Sequence, residues 1–365
     1  MKFTKWNFLM TVFGIFSLFF DIGADVWITL KYFQEGLYLF SSLTVFFIII
    51  SNLVVNVFSY AWFKDDCAEE NNIRLKWVCV AHVFLSGTFV RYWYVVKYGY
   101  RAAMISHSKA DSIEANKRAV DSMTDLSMLR CFKTFLESTP QLILQIYILM
   151  EHGEITLVQY ASIIFSVSSI SWSTVDYYMS LRNSLEDKKK IRSGFPTCTY
   201  VLYKLFTLTS WILSLVFLLA CNIYVFTALL SSLWVAALIW TWKQHTEFCT
   251  NILMEILYRI VVATILVFTF FNVKGQKTRI PMSVYYSLRV LLTIGILILC
   301  FYFKQPLPHI LFFNVCSITL VLALGLGLIS LILYYSLFHP AIQCKDQDAV
   351  DTVLRRNRFC YFLKH

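Results

Sequence analysis

Apolar residues in this chain fall in long unbroken runs, not in the short alternations of a soluble domain. A membrane-spanning helix needs about 20 mostly apolar residues. Ten stretches qualify: 8–31, 37–63, 75–98, 131–151, 156–181, 200–223, 225–242, 249–272, 282–303 and 310–338. The first follows Lys2 and Lys5 much as a secretory signal would. It is too long for one, carries Asp21 and Asp25, and lacks a small-residue cleavage site, so it reads as a retained helix. The pattern predicts an all-α polytopic membrane protein.

The polar stretches between the runs set the expected topology. Loop 99–130 carries Arg101, Lys109, Lys117, Arg118 and Arg130, and loop 182–196 carries Arg182, Lys188, Lys189, Lys190 and Arg192. If the N-terminus were cytoplasmic and all ten runs crossed, both loops would lie outside, against the bias of Lys and Arg toward the cytoplasm. The conflict disappears if the third and eighth runs enter the membrane and return to the same side. Stretches 64–76, 99–130, 182–196, 274–279 and the tail from 341 then all become cytoplasmic, as do both termini. Of 32 basic residues, Lys31 and Lys304 remain clearly outside. Both re-entrant runs carry charge, His82 and Arg91 in one and Glu255 and Arg259 in the other. That suits backbone buried by protein and not facing lipid.

The expected architecture is therefore eight transmembrane helices plus two partly inserted re-entrant helices, in two pseudo-repeated units. The first unit is 1–181, followed by a basic cytoplasmic linker at 182–199, a second membrane unit at 200–338 and a cytoplasmic regulatory tail at 339–365. Each unit would hold four spans and one re-entrant segment. Both units start on the same side, as in a parallel repeat, and the likeness lies in hydropathy and loop charge, not in residue identities. Loop 99–130 places Ala102, Ile105, Ile113, Val120 and Met123 at helical spacing, which predicts an amphipathic helix packed on the bundle. Its Asp111, Glu114, Asp121 and Asp125 nearly balance its five basic residues.

Composition agrees with the pattern. Of 365 residues, 58% are apolar and 15% charged, and mean hydropathy is +0.63. Soluble domains run at about 45–50% and 25%. The net charge of +10 would suggest nucleic acid in a soluble protein; here it belongs to cytoplasmic loops, and no nucleic-acid partner is expected. The ten cysteines are scattered, several inside apolar runs (Cys79, Cys221, Cys300, Cys316), and read as small hydrophobes. Neither they nor the seven histidines show ligand spacing, so no metal or cofactor is expected. Phosphate-binding, dinucleotide-binding, zinc-protease and serine-hydrolase motifs are absent. ATP-driven pumping is not expected, any transport is passive, gated or driven by a partner, and the chain does not read as an enzyme.

The remaining information lies in polar residues within the runs, where a charge costs about 2.5–3.5 kcal/mol at mid-helix. Asp21 and Asp25 share one face of the first helix, and Asn52 and Asn56 repeat that spacing in the second. Glu137, Gln141 and Gln145 form a polar stripe around Pro140. With Arg91 these residues make a candidate pathway through the first unit, for charged headgroups or for ions. Arg91, Arg259 and Arg289 are the expected partners of opposite sign, and Glu255, Arg259 and Arg289 are the buried charges of the second unit. Hydrogen-bonded contact between helices is the plainer reading of the same stripes.

After the last run, Asp348-Ala-Val-Asp351 matches the D-x-x-D pattern cut by executioner caspases after its second Asp, in a polar stretch open to proteolysis. Downstream, Arg355, Arg356 and Arg358 stand among Phe359, Tyr361 and Phe362. This segment reads either as a tail on anionic lipid or as an autoinhibitory plug released by cleavage.

Asp21-Ile-Gly-Ala-Asp25-Val-Trp27 and Glu137-Ser-Thr-Pro140-Gln141-Leu-Ile-Leu-Gln145-Ile-Tyr147 resemble the hallmark motifs of the XK-related family. The hydropathy plan is similar over nearly the whole chain. The short tail with its D-x-x-D site resembles the caspase-activated members, although Thr352, not a very small residue, follows Asp351. The resemblance implies a phospholipid scramblase that exposes phosphatidylserine on the surface of apoptotic cells once a caspase removes the tail. It implies a plasma-membrane location, membrane phospholipids and an executioner caspase as partners, and Asp21, Asp25 and Glu137 as pathway residues. Two other classes stay open: an ion or small-solute channel or transporter, and a structural subunit of another membrane protein.

Overall fold

A computed structural model describes residues 3–66, 72–105, 109–152, 157–184, 194–244, 246, 248–272, 279–302 and 310–338. The described residues are helical apart from turns and short irregular stretches, with no strand. In chain order the helices are α1 (Lys5–Gln34), α2 (Tyr38–Asp66), α3 (Asn72–Val83), α4 (Gly87–Tyr100), α5 (Lys109–Lys133), α6 (Thr139–His152), α7 (Leu157–Ser184), α8 (Phe195–Cys221), α9 (Ile223–Lys243), α10 (Ile252–Phe268), α11 (Arg279–Tyr302) and α12 (Ile310–Leu333). Single π-helical turns follow α4, α5 and α12. Six helices among the described residues are long and apolar enough to cross a membrane: α1, α2, α8, α9, α11 and α12.

Local chemistry explains where helices stop. Thr4 caps α1 through Asn7 N–H at 3.3 Å. Between α1 and α2 the chain reverses through Gly36 at φ 77°, a left-handed conformation that glycine adopts freely. Asn222 is the whole connection between α8 and α9. Its N–H closes α8 on the Leu218 carbonyl, and its side chain accepts from Tyr224 N–H and Val225 N–H to open α9. The turn Thr134–Ser138 lies just before Pro140, whose ring clashes with the carbonyl four residues back; the widened π turn gives it room.

The third apolar run divides into α3 and α4, about 18 and 21 Å long at 1.5 Å per residue. Neither reaches the roughly 30 Å of a hydrocarbon core. The break uses a helix-ending motif with Leu85 at φ 55°, where glycine is usual. Ser86 N–H reaches the Ala81 carbonyl and Leu85 N–H the His82 carbonyl. α10 is also short, about 25 Å. A helix leaves its last carbonyls without partners, and here side chains supply them. Trp211 Nε1 and Arg289 Nη2 donate to the Val267 carbonyl at 3.0 and 2.7 Å, and Tyr285 OH to Leu266 at 2.9 Å.

No helix end marks the expected boundary between loop 99–130 and the run 131–151. α5 starts at Lys109 and passes through it, and the π turn leads straight into α6. A polar helix can extend this far because its charges meet partners from other helices.

The described residues form two compact units, one within 1–137 and 176–188 and the other within 138–175 and 189–338. In the first, α5 packs on α4 and α2, and α1 on α2 and α4. Gly14 lets Tyr92 of α4 approach α1, since a Cβ there would sit 3.2 Å from the Tyr92 hydroxyl. In the second, α8 is central and contacts α6, α9, α11 and α12. Its residues Ser210–Leu218 are buried all round, while α9 is mostly open on its surface.

Candidate functional site

In the first unit one element carries four charges that face the protein interior or its edge. α5 and its π turn carry Asp125, Arg130, Lys133 and Glu137, over a rise of about 18 Å. All four reach other helices. Lys133 Nζ donates to Asp21 Oδ2 of α1 at 2.6 Å and also lies 3.2 Å from Glu137 Oε1. Arg91 Nη1 of α4 donates to Asp125 Oδ2 at 3.0 Å. Arg130 Nη1 lies 3.6 Å from Asp176 Oδ2 of α7.

Asp21, Asp25 and Glu137 present carboxylate oxygens within 4.8 Å of one another. Three carboxylates this close repel strongly unless a cation sits among them. The Lys133 ammonium is that cation in this chain, touching Asp21 and Glu137 at once. The cluster grades inward: the Asp21 side chain is 47% exposed, Lys133 14% and Glu137 1%. Its outer carboxylate is therefore half-exposed, and its inner one is sealed.

A second node holds the α3–α4 break. Asn56 Nδ2 donates to the His82 carbonyl at 2.5 Å, and Asn56 Oδ1 accepts from Gly87 N–H at 3.0 Å. The Ser59 hydroxyl lies 2.9 Å from His82 Nε2 and accepts from Arg91 Nε at 3.3 Å, while Arg91 Nη2 donates to the Ser59 carbonyl at 2.8 Å. Asn56 thus meets backbone groups that the broken helix exposes. Asn52 is half-buried, one residue from the fully buried Ser51.

The Glu137–Gln141–Gln145 stripe is divided between units, with Glu137 in the first and the glutamines in the second. Gln145 Nε2 reaches Ser162 Oγ of α7 at 3.4 Å. Gln141 Nε2 is buried with no partner among the described residues.

In the second unit, Glu255 accepts from Thr246 Oγ1, from Cys249 N–H at 2.8 Å and from Arg259 Nε at 3.3 Å. Arg259 also donates to the Thr246 carbonyl at 2.8 Å, beside a cavity of about 350 Å³ lined by Trp242, Thr246 and Cys249. Arg289 lies against the Trp211 and Tyr285 rings, 4.2 and 4.9 Å from their centres. Its place beside the C-terminal carbonyls of α10 suits a cation, because that end of a helix is negative.

The cations expected to serve the acidic residues are thus distributed differently. Arg91 meets Asp125, Arg259 meets Glu255, and Arg289 meets aromatic faces and a carbonyl; the ammonium at Asp21 and Glu137 is that of Lys133. The spacing Lys133–Glu137 was the available signal, four residues apart on one helix face. Asp125, Asp176 and the fully buried Lys204, which donates to Thr269 Oγ1 at 2.8 Å, gave no local signal. Asp348, Asp351, Arg355, Arg356, Arg358, Phe359, Tyr361 and Phe362 lie outside the described residues.

Comparison with known proteins places this geometry. An XK-related protein of Tetraodon nigroviridis, XK-related protein 9, is 38% identical over 362 residues, covering 96% of this chain and 95% of that protein. XK-related protein 8 of Gasterosteus aculeatus is 31% identical, over 93% of this chain and 86% of its own. The Pan troglodytes protein of the same name is 29% identical, over 94% and 87%. The family model described as XK-related protein matches residues 9–340, a range holding every charged node above, and the chain belongs to the XK-related family.

Proposed function

We propose that the protein is a passive phospholipid scramblase of the plasma membrane, held closed by its C-terminal tail and activated when an executioner caspase cuts after Asp351. The observation that carries this reading is the alternating charge along α5, from the Arg91–Asp125 pair to Lys133 among Asp21, Asp25 and Glu137. Charges at membrane depth mark pathways, pairs or cavities. A phospholipid headgroup such as that of phosphatidylserine carries a phosphate and an ammonium, and the track offers both complements: Lys133 and arginines for the first, carboxylates for the second. Asp21, half-exposed, is the point of entry. Headgroups slide along this track while acyl chains stay in lipid, so flow follows the lipid gradient and needs no ATP.

The broken helices support eight spans with two re-entrant segments, both termini being cytoplasmic. α3 with α4, and α10, end at points where side chains of neighbouring helices satisfy the exposed backbone. Such endings are tolerated within a bilayer only where protein surrounds them.

The test is lipid flip in liposomes holding the intact protein, the caspase-cut protein, or Asp351→Ala treated with caspase. Flip is expected in the cut protein alone. If removal of the tail never raises flip, the mechanism is wrong. Conductance without flip would mark a channel, and inertness in both assays with a stoichiometric companion would mark a structural subunit of a membrane complex.

A further inference from the structure

α8 and α11 run in the same direction in the second unit. Near their starts, the Tyr203 and Tyr286 hydroxyls hydrogen-bond. Near their ends, Cys221 Sγ and Cys300 Sγ lie 3.0 Å apart. The two contacts are separated by 18 residues on α8 and 14 on α11, about 27 and 21 Å of helix. The cysteines therefore sit at the far ends of two helices whose starts follow the basic stretches 182–196 and 274–279 in sequence.

We propose that Cys221 and Cys300 form a disulfide that fastens α8 to α11 on the non-cytoplasmic side. Three observations converge. The sulfurs are already in contact, and a bridge needs them at about 2.05 Å, so closure takes roughly 1 Å of movement. Cys221 is the last residue of α8, next to the one-residue turn at Asn222, where the backbone can yield. The Lys and Arg bias puts this end in the oxidising compartment, where disulfides form and persist. The inference rests on the proposed orientation and not on lipid transport.

The chemistry balances with a protein disulfide of the secretory lumen as oxidant. The half-buried Cys221, as thiolate, attacks one sulfur of that disulfide and releases the other as a thiol. The buried Cys300, as thiolate, then attacks the Cys221 sulfur of the mixed disulfide and releases the second thiol. Two thiol protons pass to the two released thiols, and two electrons reduce the oxidant. The positions are 79 apart in sequence, a long loop, and in the chain-entropy account long loops gain most from closure.

The experiment uses full-length protein taken from the cell surface. Free thiols are blocked with a small maleimide under denaturing conditions, and the sample is then reduced and labelled again. Cys221 and Cys300 are expected to take only the second label, and their peptides to be found joined before reduction. Cys221→Ser is expected to expose Cys300 to the first label, and Cys300→Ser to expose Cys221. Reductant is expected to lower the thermal midpoint of the unaltered protein and leave that of the C221S/C300S double variant unchanged. First-label modification of both cysteines in the unaltered protein overturns the proposal. A glycosylation acceptor inserted within 303–309 separates two causes of that failure. If the acceptor is glycosylated, the orientation stands and the pairing is wrong; if it is not, the orientation itself has failed.

Discussion

The Arg91–Asp125 pair offers the sharpest test of how the first unit is held together. Its side chains are 6% and 12% exposed and their nearest charged atoms 3.0 Å apart. Asp125→Leu leaves the guanidinium buried without this countercharge, at a cost of about 3–5 kcal/mol. Adding Arg91→Met removes the charge as well. The double variant also loses both Arg91 bonds to Ser59, of which the shorter, to the carbonyl, costs about 1–3 kcal/mol when a buried acceptor goes unmet. The double variant should therefore be more stable than Asp125→Leu by about 2 kcal/mol. At 2–4 °C per kcal/mol for a unit of this size, Asp125→Leu lowers the thermal midpoint by roughly 6–20 °C, and Arg91→Met on that background returns roughly 4–8 °C. The assay is loss of the monodisperse peak in size-exclusion chromatography after heating in mild detergent. A double variant as unstable as Asp125→Leu would refute the reasoning, because the damage would then come from packing and not from an uncompensated charge.

Two further outcomes follow from named contacts. Gly87→Ala puts a Cβ 2.6 Å from Asn56 Oδ1, displacing the side chain that caps the α3–α4 break, and should cost about 1–3 kcal/mol by the same heating assay; Gly23→Ala meets nothing within 4 Å on α1 and should be neutral or slightly stabilising. Lys133→Met should lower flip by the tail-cleaved protein roughly tenfold or more, as expected for one lost hydrogen bond from a charged donor. Glu137→Gln on that background should restore part of the folded yield by relieving repulsion among the three carboxylates.

Apolar runs reported α1, α2, α8, α9, α11 and α12 well, because a long helix that faces lipid, or like α8 is buried all round, is apolar along its length. α5 was legible only as a loop helix. Its low apolarity hid that Asp125, Arg130 and Lys133 are matched by charges on other helices. Pairing at that range leaves no periodic trace: Arg91 and Asp125 are 34 positions apart. Asp21, Asp25 and Glu137 were legible as unusual residues, but their convergence depends on how α1 packs, which spacing within one helix does not encode. The break at 84–86 was invisible too, since Leu85 occupies a position where the signal would have been glycine.

The contact between Lys133 and Asp21 has a temporal side. The two residues are 112 positions apart. At about 5–20 residues per second, a ribosome takes roughly 6–22 s to make the lysine after the aspartate. During that interval α1 has left the ribosome with two carboxylates in its apolar stretch, and the ammonium that will neutralise them has not been synthesised. α1 therefore enters the membrane before its cation exists. Until α5 arrives, something other than its final neighbour must keep those carboxylates solvated or protonated.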